Sequence, residues 1–181
     1  MKNWALSFLF FACFAFLICS CEDKRQVQKL ITPSVQNDEL ESPLIQKNIK
    51  ILALENEEIE LFIKRYGWNM TQTGTGLRYT IIHKGKDKIP QKGEEVTLKY
   101  VTQLLSGDTI YTDKTDSLKR FVVEKTDEIV GLHEAVQLMP KGSKAHLVIP
   151  AHLAYGVAGD GNKIFGQHPI VMTIELLVDN E

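Results

Sequence analysis

The segment from Gly131 to Gly156 constrains the fold of this chain more than any other stretch. Its pattern predicts a short helix with one apolar face, a turn, a strand of alternating character, and a proline-led loop that ends with an aromatic residue and a glycine. The apolar positions of the helix and the strand are Ile129, Leu132, Val136, Met139, Ala145, Leu147 and Ile149. This combination favours a sheet that packs one face against a single helix.

Further stretches with a period of two predict the other strands of that sheet. They cover residues 77–81, 95–105, 119–123 and 170–178. Many short strands with one helix among them predict the α+β class. We therefore expect an antiparallel sheet wrapped on one short helix, occupying residues 74–181, with a further helix before it.

That further helix and its linker are expected over residues 43–73. Ser42 and Pro43 form a helix-start signal, and Gly67 is suited to end the helix. Between them, apolar positions alternate spacings of four and three with one polar interruption: Ile45, Ile49, Leu52, Asn56, Ile59, Ile63 and Tyr66. The favoured interpretation is a helix that packs on its own domain. The alternative is a homodimer through residues 43–66, in which Asn56 pairs with its counterpart and sets the register.

The first 20 residues read as a secretory signal, with Lys2 before an apolar run and no acidic residue until Glu22. The residues Leu17-Ile18-Cys19-Ser20-Cys21 resemble the bacterial lipobox, which implies cleavage before Cys21 and its acylation. Multiple acyl chains give stable membrane anchoring. The simpler alternative is an ordinary signal in which Cys21 is one more apolar residue. Residues 21–42 are polar and are expected to form a flexible tether.

Charge and cysteine content exclude several classes of function. The chain has 21 basic and 23 acidic residues, a net charge of −2, so no basic excess favours nucleic-acid binding. All three cysteines lie within the first 21 residues, which leaves the rest without a disulfide framework. The five histidines lack the spacing of metal ligands, and we expect no metal site.

Six segments in order resemble the FK506-binding-protein (FKBP) type of peptidyl-prolyl cis/trans isomerase. They are GLRYTII, KGEEVTLKY, LLSGDTIY, EIVGLHEAVQLMPKGSKA, IPAHLAYG and IVMTIELL. The whole chain, with its lipobox and the GDGNKI loop at residues 159–164, also resembles the gliding-motility-associated FKBP-type lipoproteins of Bacteroidetes. The resemblance implies isomerisation of X–Pro bonds without a nucleophile, metal or cofactor.

The resemblance also implies a set of site residues. Tyr155 would donate its hydroxyl to the substrate carbonyl, Tyr100 and Phe121 would form aromatic walls, and Ile129 would offer its backbone N–H. The remaining pocket positions would be Ile110, Tyr111, Leu132, Ile164 and Met172. At Ile110 and Tyr111 the family pattern has an aromatic residue and an aspartate, so this chain lacks that carboxylate.

The expected function is therefore a prolyl isomerase that assists the folding of exported proline-containing polypeptides. Its expected location is the bacterial cell envelope, held by lipid on Cys21 at the periplasmic side or the outer membrane. Ile110 and Tyr111 favour an alternative from another class: a chaperone or envelope-assembly module that binds without catalysis.

Overall fold

The computed structural model describes residues 42–178. The predicted signal, the acylation site Cys21 and the tether up to residue 41 lie outside the described residues. Within 42–178, an antiparallel sheet packs on a short helix, so the predicted α+β class is confirmed. No helix of this part combines the length and apolar character needed to cross a membrane.

Helix α1 (Pro43–Tyr66) opens the described part. Proline at the first helical position has a φ suited to the helix and lacks an N–H that would be unpaired there anyway. Ser42 stands at the N-cap, as the helix-start signal predicts, but its side chain makes no capping hydrogen bond. Its carbonyl accepts from the N–H of Gln46 at 3.1 Å. Gly67 ends the helix in the left-handed conformation with φ +63°, as glycine readily can.

Within residues 42–178, seven strands form one sheet. They are β1 (Thr71–Gln72), β2 (Arg78–His83), β3 (Glu95–Leu104), β4 (Thr109–Thr112), β5 (Lys119–Val122), β6 (Lys144–Ile149) and β7 (Ile170–Leu176). Six of them follow the order β1-β2-β6-β7-β3-β4, and β5 pairs with β3 beside this path. Every pairing is antiparallel. One edge of the long β3 pairs with β7. The other edge pairs first with β5 and then with β4.

Helix α2 (Asp113–Asp116) is one short turn after β4, and helix α3 (Val130–Val136) covers the inner face of the sheet. Alternate residues of each strand point to that face, which explains the period of two in the sequence. A side chain at Gly131 would collide with the Ile149 side chain, so glycine lets α3 lie close to β6.

The outer face of the sheet is covered by helix α1. Ile59 and Phe62 of α1 are buried against Val148 and Val171, the outward positions of β6 and β7. Burial of apolar surface stabilises this contact by roughly 25 cal/mol per Å². The C-terminal half of α1 therefore packs on its own domain, as the favoured interpretation expects.

A buried arginine also connects α1 to the sheet. Arg78 of β2 is 4% exposed and donates from Nε to Glu60 at 2.9 Å and from Nη2 to the side-chain oxygen of Asn56. The polar residue of the predicted heptad seam thus has its partner within the same chain.

Candidate active site

A cavity of about 240 Å³ opens at the end of the sheet beside the start of α3. It is lined by Tyr100, Thr102, Tyr111, Lys119, Glu128, Ile129, Tyr155, Asp160 and Met172. Thr102 pairs with Tyr111 of β4 on one side and with Met172 of β7 on the other, so three neighbouring strands form one wall. Because alternate residues share a face of a strand, Tyr100 lies on the same wall as Thr102.

The charged side chains of the cavity are engaged with neighbouring groups. Lys119 Nζ lies 2.7 Å from Glu128 Oε2, and the two side chains are 24% and 13% exposed. The hydroxyl of Tyr111 donates to Asp160 Oδ2. These contacts satisfy the charged groups locally and leave the hydroxyls as the polar groups open to a ligand.

Three hydroxyls of the cavity, those of Tyr100, Thr102 and Tyr155, make no hydrogen bond to another group of residues 42–178. No fully buried side-chain polar atom of this part is unpaired, so these three hydroxyls are open to the cavity and not enclosed. Burial raises the pKa of Tyr155 to about 12, and the nearby carboxylates of Glu128 and Asp160 add to the rise. Burial also raises the pKa of Tyr100. Both phenols are neutral hydrogen-bond donors near neutral pH.

A tight turn positions Tyr155. Residues Ala151–Leu153 form one turn of 3-10 helix directly after Pro150. The carbonyl of Ala151 accepts hydrogen bonds from Ala154 N at 3.1 Å and Gly156 N at 2.8 Å. Since those two residues flank Tyr155, the turn holds the tyrosine backbone on both sides.

Ile129 also lines the cavity, but its backbone N–H already has a partner. This N–H donates to Glu128 Oε1 at 2.9 Å, and Ile129 is the N-cap residue directly before α3. A ligand carbonyl that uses this N–H would have to displace the carboxylate.

The structure brings together Tyr100, Tyr111, Ile129, Tyr155 and Met172 of the residues that the sequence suggests. The other four lie outside the lining: Phe121, Leu132 and Ile164 are buried in the core, and Ile110 packs against that core. Phe121 meets the ring of His133 edge to face, with centroids 5.0 Å apart. These four therefore belong to the core or its edge and are not among the lining residues of the cavity.

Four lining residues were missed by the sequence reasoning: Thr102, Lys119, Glu128 and Asp160. Thr102 could have been found, because it continues the alternation that contains Tyr100. Asp160 lies in the 159–164 loop, where its Oδ1 accepts from the N–H groups of Asn162 and Ile164 at 2.8 and 2.9 Å. Its other oxygen, Oδ2, accepts from the hydroxyl of Tyr111. The Asp160 carboxylate thus lines the cavity from a segment other than that of Ile110 and Tyr111, where the family pattern has its aspartate.

No group of three or more His, Cys, Asp or Glu side chains in 42–178 is arranged to hold a metal ion.

The chain is similar to several known proteins. It is 28% identical over 156 residues to the probable FKBP-type peptidyl-prolyl cis-trans isomerase FkpA of Neisseria meningitidis serogroup B, covering 85% of this chain and 56% of that protein. It is 34% identical over 103 residues to the outer membrane protein MIP of Legionella longbeachae, covering 57% and 44%. The chain thus spans about half the length of the curated relatives it matches.

A solved structure shows the same similarity to peptidyl-prolyl cis-trans isomerases. The peptidyl-prolyl cis-trans isomerase of Pseudomonas syringae pv. tomato superposes with a TM-score of 0.61 at 27% identity, over 73% of this chain and 95% of that one. Residues 86–177, just over half of the chain, match the sequence profile of the FKBP-type peptidyl-prolyl cis-trans isomerases. The sheet wrapped on α3, the tyrosine-lined cavity and this match together show that the chain belongs to the FKBP-type peptidyl-prolyl cis-trans isomerase family.

Proposed function

We propose that this chain catalyses cis/trans isomerisation of X–Pro peptide bonds in the cavity beside α3. The observation that carries the proposal is the hydroxyl of Tyr155, a neutral donor with no partner in 42–178, beside the apolar groups of Ile129 and Met172. This arrangement suits a substrate that needs one hydrogen bond to its carbonyl and an apolar seat for the proline ring.

The reaction requires no covalent chemistry. Amide resonance gives the X–Pro bond a rotation barrier of about 18–20 kcal/mol, and the twisted transition state loses that resonance together with its charge separation. Apolar side chains such as Ile129 and Met172 against the proline ring favour the less charge-separated state, and contacts shaped to the twisted conformer add differential binding. In this proposal Tyr155 orients the substrate carbonyl while Tyr100, Ile129 and Met172 contact the ring.

The test is proline-limited refolding of a model protein in the presence of the full chain. We expect acceleration by the wild type and a loss of about fivefold in kcat/KM for Tyr155→Phe, since one hydrogen bond contributes about 1 kcal/mol. Tyr66→Phe removes an equivalent hydroxyl outside the cavity and serves as the matched control. Absence of acceleration by a folded wild-type sample would refute catalysis.

In that event the alternative, a binding module without catalysis, becomes the better account. The observation in its favour is the N–H of Ile129, which is engaged by Glu128. A proline-containing peptide that binds in the cavity without faster exchange of its isomers would identify this function.

We further propose that the protein acts on exported polypeptides while anchored in the envelope by lipid on Cys21. The lipobox-like sequence supports this, as does the similarity to a protein named for the outer membrane. Metabolic labelling with a fatty-acid analogue should mark the wild type but not Cys21→Ser. Labelling of both proteins would exclude Cys21 as the site.

The dimer alternative concerns the N-terminal half of α1. Leu44, Ile49, Leu52 and Leu54 are exposed there, whereas Ile59 is buried on the sheet. We propose that this exposed half can pair with a second copy. Sedimentation equilibrium of the wild type and of Ile49→Glu/Leu52→Glu tests the pairing, and a monomeric wild type would rule it out.

A further inference from the structure

A contact outside the family-matched segment reaches the turn that carries Tyr155. Glu55 lies in α1, and its Oε1 accepts a hydrogen bond from the backbone N–H of Ala151 at 2.5 Å. Ala151 is the first residue of the 3-10 turn, where an N–H has no partner within the turn itself. A carboxylate acceptor makes this hydrogen bond charge-assisted, hence stronger than one between neutral groups.

The same residue connects directly to Tyr155. The carbonyl of Ala151 accepts from the N–H groups of Ala154 and Gly156, while its own N–H is held by Glu55. Both polar groups of Ala151 are therefore engaged, one with α1 and the other with the two neighbours of Tyr155. A shift of this residue would be transmitted to the tyrosine.

Glu55 is itself held in place on the sheet. Ile59, one helical turn further on, is 1% exposed against the outer face. The buried Arg78 binds both Asn56 and Glu60 and also donates to the carbonyl of Gly76 at 2.9 Å. The segment of α1 around Glu55 is thus pinned by apolar and charged contacts.

We propose that Glu55 is a positioning residue, through which helix α1 holds the 151–156 turn and sets the place of the Tyr155 hydroxyl. This inference rests on the proposed isomerase function and deepens it. Glu55 does not line the cavity, so it acts through Ala151 and touches no substrate. A helix outside the segment matched by the family profile becomes part of what makes the site competent.

The test compares full-length variants in an isomerase assay at a temperature where all of them are folded. Glu55→Ala removes the acceptor, and we expect a loss of about tenfold in kcat/KM, because small displacements of a positioned group are costly. Glu55→Gln keeps an acceptor at the same reach and is expected to stay within about twofold of the wild type. Glu58→Ala makes the same change of charge at an exposed position of α1 and is the matched control.

Amide hydrogen exchange supplies a readout that does not depend on activity. We expect faster exchange at Ala151, Ala154 and Gly156 in Glu55→Ala, and wild-type rates in Glu58→Ala. The inference would be overturned if Glu55→Ala lowered the unfolding midpoint but kept the kcat/KM of Glu58→Ala. So would a Glu55→Gln variant as impaired as Glu55→Ala, since then the acceptor is not what matters.

A wild-type protein without isomerase activity would refute the proposed function but not by itself this contact. In that case unchanged exchange at Ala154 and Gly156 in Glu55→Ala would overturn the positioning role. Faster exchange at those two amides would support it for a binding site built on the same turn.

Discussion

The carboxylate of Glu128 accepts a hydrogen bond from the backbone N–H of Ile129 at 2.9 Å, at the N-terminus of helix α3. Its second oxygen accepts from Lys119 Nζ at 2.7 Å. Glu128 therefore occupies the N–H that the family resemblance assigns to the ligand. Under the proposed function, a substrate carbonyl and this carboxylate would compete for one donor.

Removal of this competitor should strengthen ligand binding. Glu128→Ala frees the N–H of Ile129, and we expect the Kd of a proline-containing tetrapeptide to fall about fivefold, which corresponds to about 1 kcal/mol for one hydrogen bond. Titration followed by NMR at the Ile129 amide measures it. Lys119→Met also breaks the ion pair but keeps Glu128 in place, so its Kd should stay near the wild-type value. Equal or weaker binding by folded Glu128→Ala would contradict the idea.

The pH dependence of activity follows from the pKa of Tyr155, which burial raises to about 12. The phenol loses its proton only when the pH approaches that value, so the donor is intact at lower pH. We expect kcat/KM to show no loss from Tyr155 ionisation between pH 7 and pH 10. A decline centred near the ordinary tyrosine value of about 10 would show that the phenol is not buried as described.

Tyr111 and Asp160 should be energetically coupled. Burial tends to raise the pKa of Asp160, but hydrogen bonds from Tyr111 and from backbone N–H groups outweigh it and lower the pKa overall. Because the folded pKa is depressed, this stabilisation is present above the unfolded value of about 3.9 and is lost as the pH falls through the folded pKa. Tyr111→Phe and Asp160→Asn, combined in a double-mutant cycle at pH 7, should give a coupling of about 1 kcal/mol in unfolding free energy.

The control for that cycle is a repeat at low pH. Below the folded pKa of Asp160 the carboxylate is protonated in every protein that carries it, and the coupling should shrink. Strictly additive effects at pH 7 would mean that the Tyr111 hydrogen bond does not stabilise the loop.

His146 should make the stability of the fold sensitive to mild acid. Its ring stacks on Trp68 with centroids 4.3 Å apart, and burial lowers its pKa, with Lys144 adding to the effect. The unfolded histidine takes up a proton near pH 6.5, whereas the folded one resists it, so stability falls as the pH drops below about 6.5.

We expect His146→Gln to reduce the slope of unfolding free energy against pH between 5 and 7, measured by urea denaturation. His83→Gln, at the exposed end of β2, is the control and should keep the wild-type slope. An unchanged slope in His146→Gln would refute the role of this histidine.

Periodicity in the sequence was enough to predict the α+β class, the main strands and helix α3. The alternation at Ala145, Leu147 and Ile149 reflects which face of β6 is buried, and burial of one face is a local constraint repeated every second residue. The resemblance likewise led to Tyr100, Ile129 and Tyr155, because the segments that carry them keep the order and spacing of the family.

The pairing of polar groups across loops could not be predicted in this way. Asp160 meets Tyr111 across 49 positions of the chain, and Glu55 meets Ala151 across 96. Such contacts have no period, and each depends on where two separate segments come to lie once the sheet is formed. Asn56 shows the same limit, since a seam residue suited to pair with a second copy is instead bound by Arg78.

The sequence by itself therefore determined the main strands, helices α1 and α3 and their buried faces, since these depend on side-chain type repeated at a regular spacing. Its ordered motifs also indicated the family. Only the tertiary structure decided which charges are paired in the cavity, that Phe121, Leu132 and Ile164 are buried in the core and not in its lining, and that α1 contacts the turn of Tyr155. Hydrogen bonds and ion pairs act over a few ångströms, so their partners are chosen by the folded geometry rather than by position along the chain.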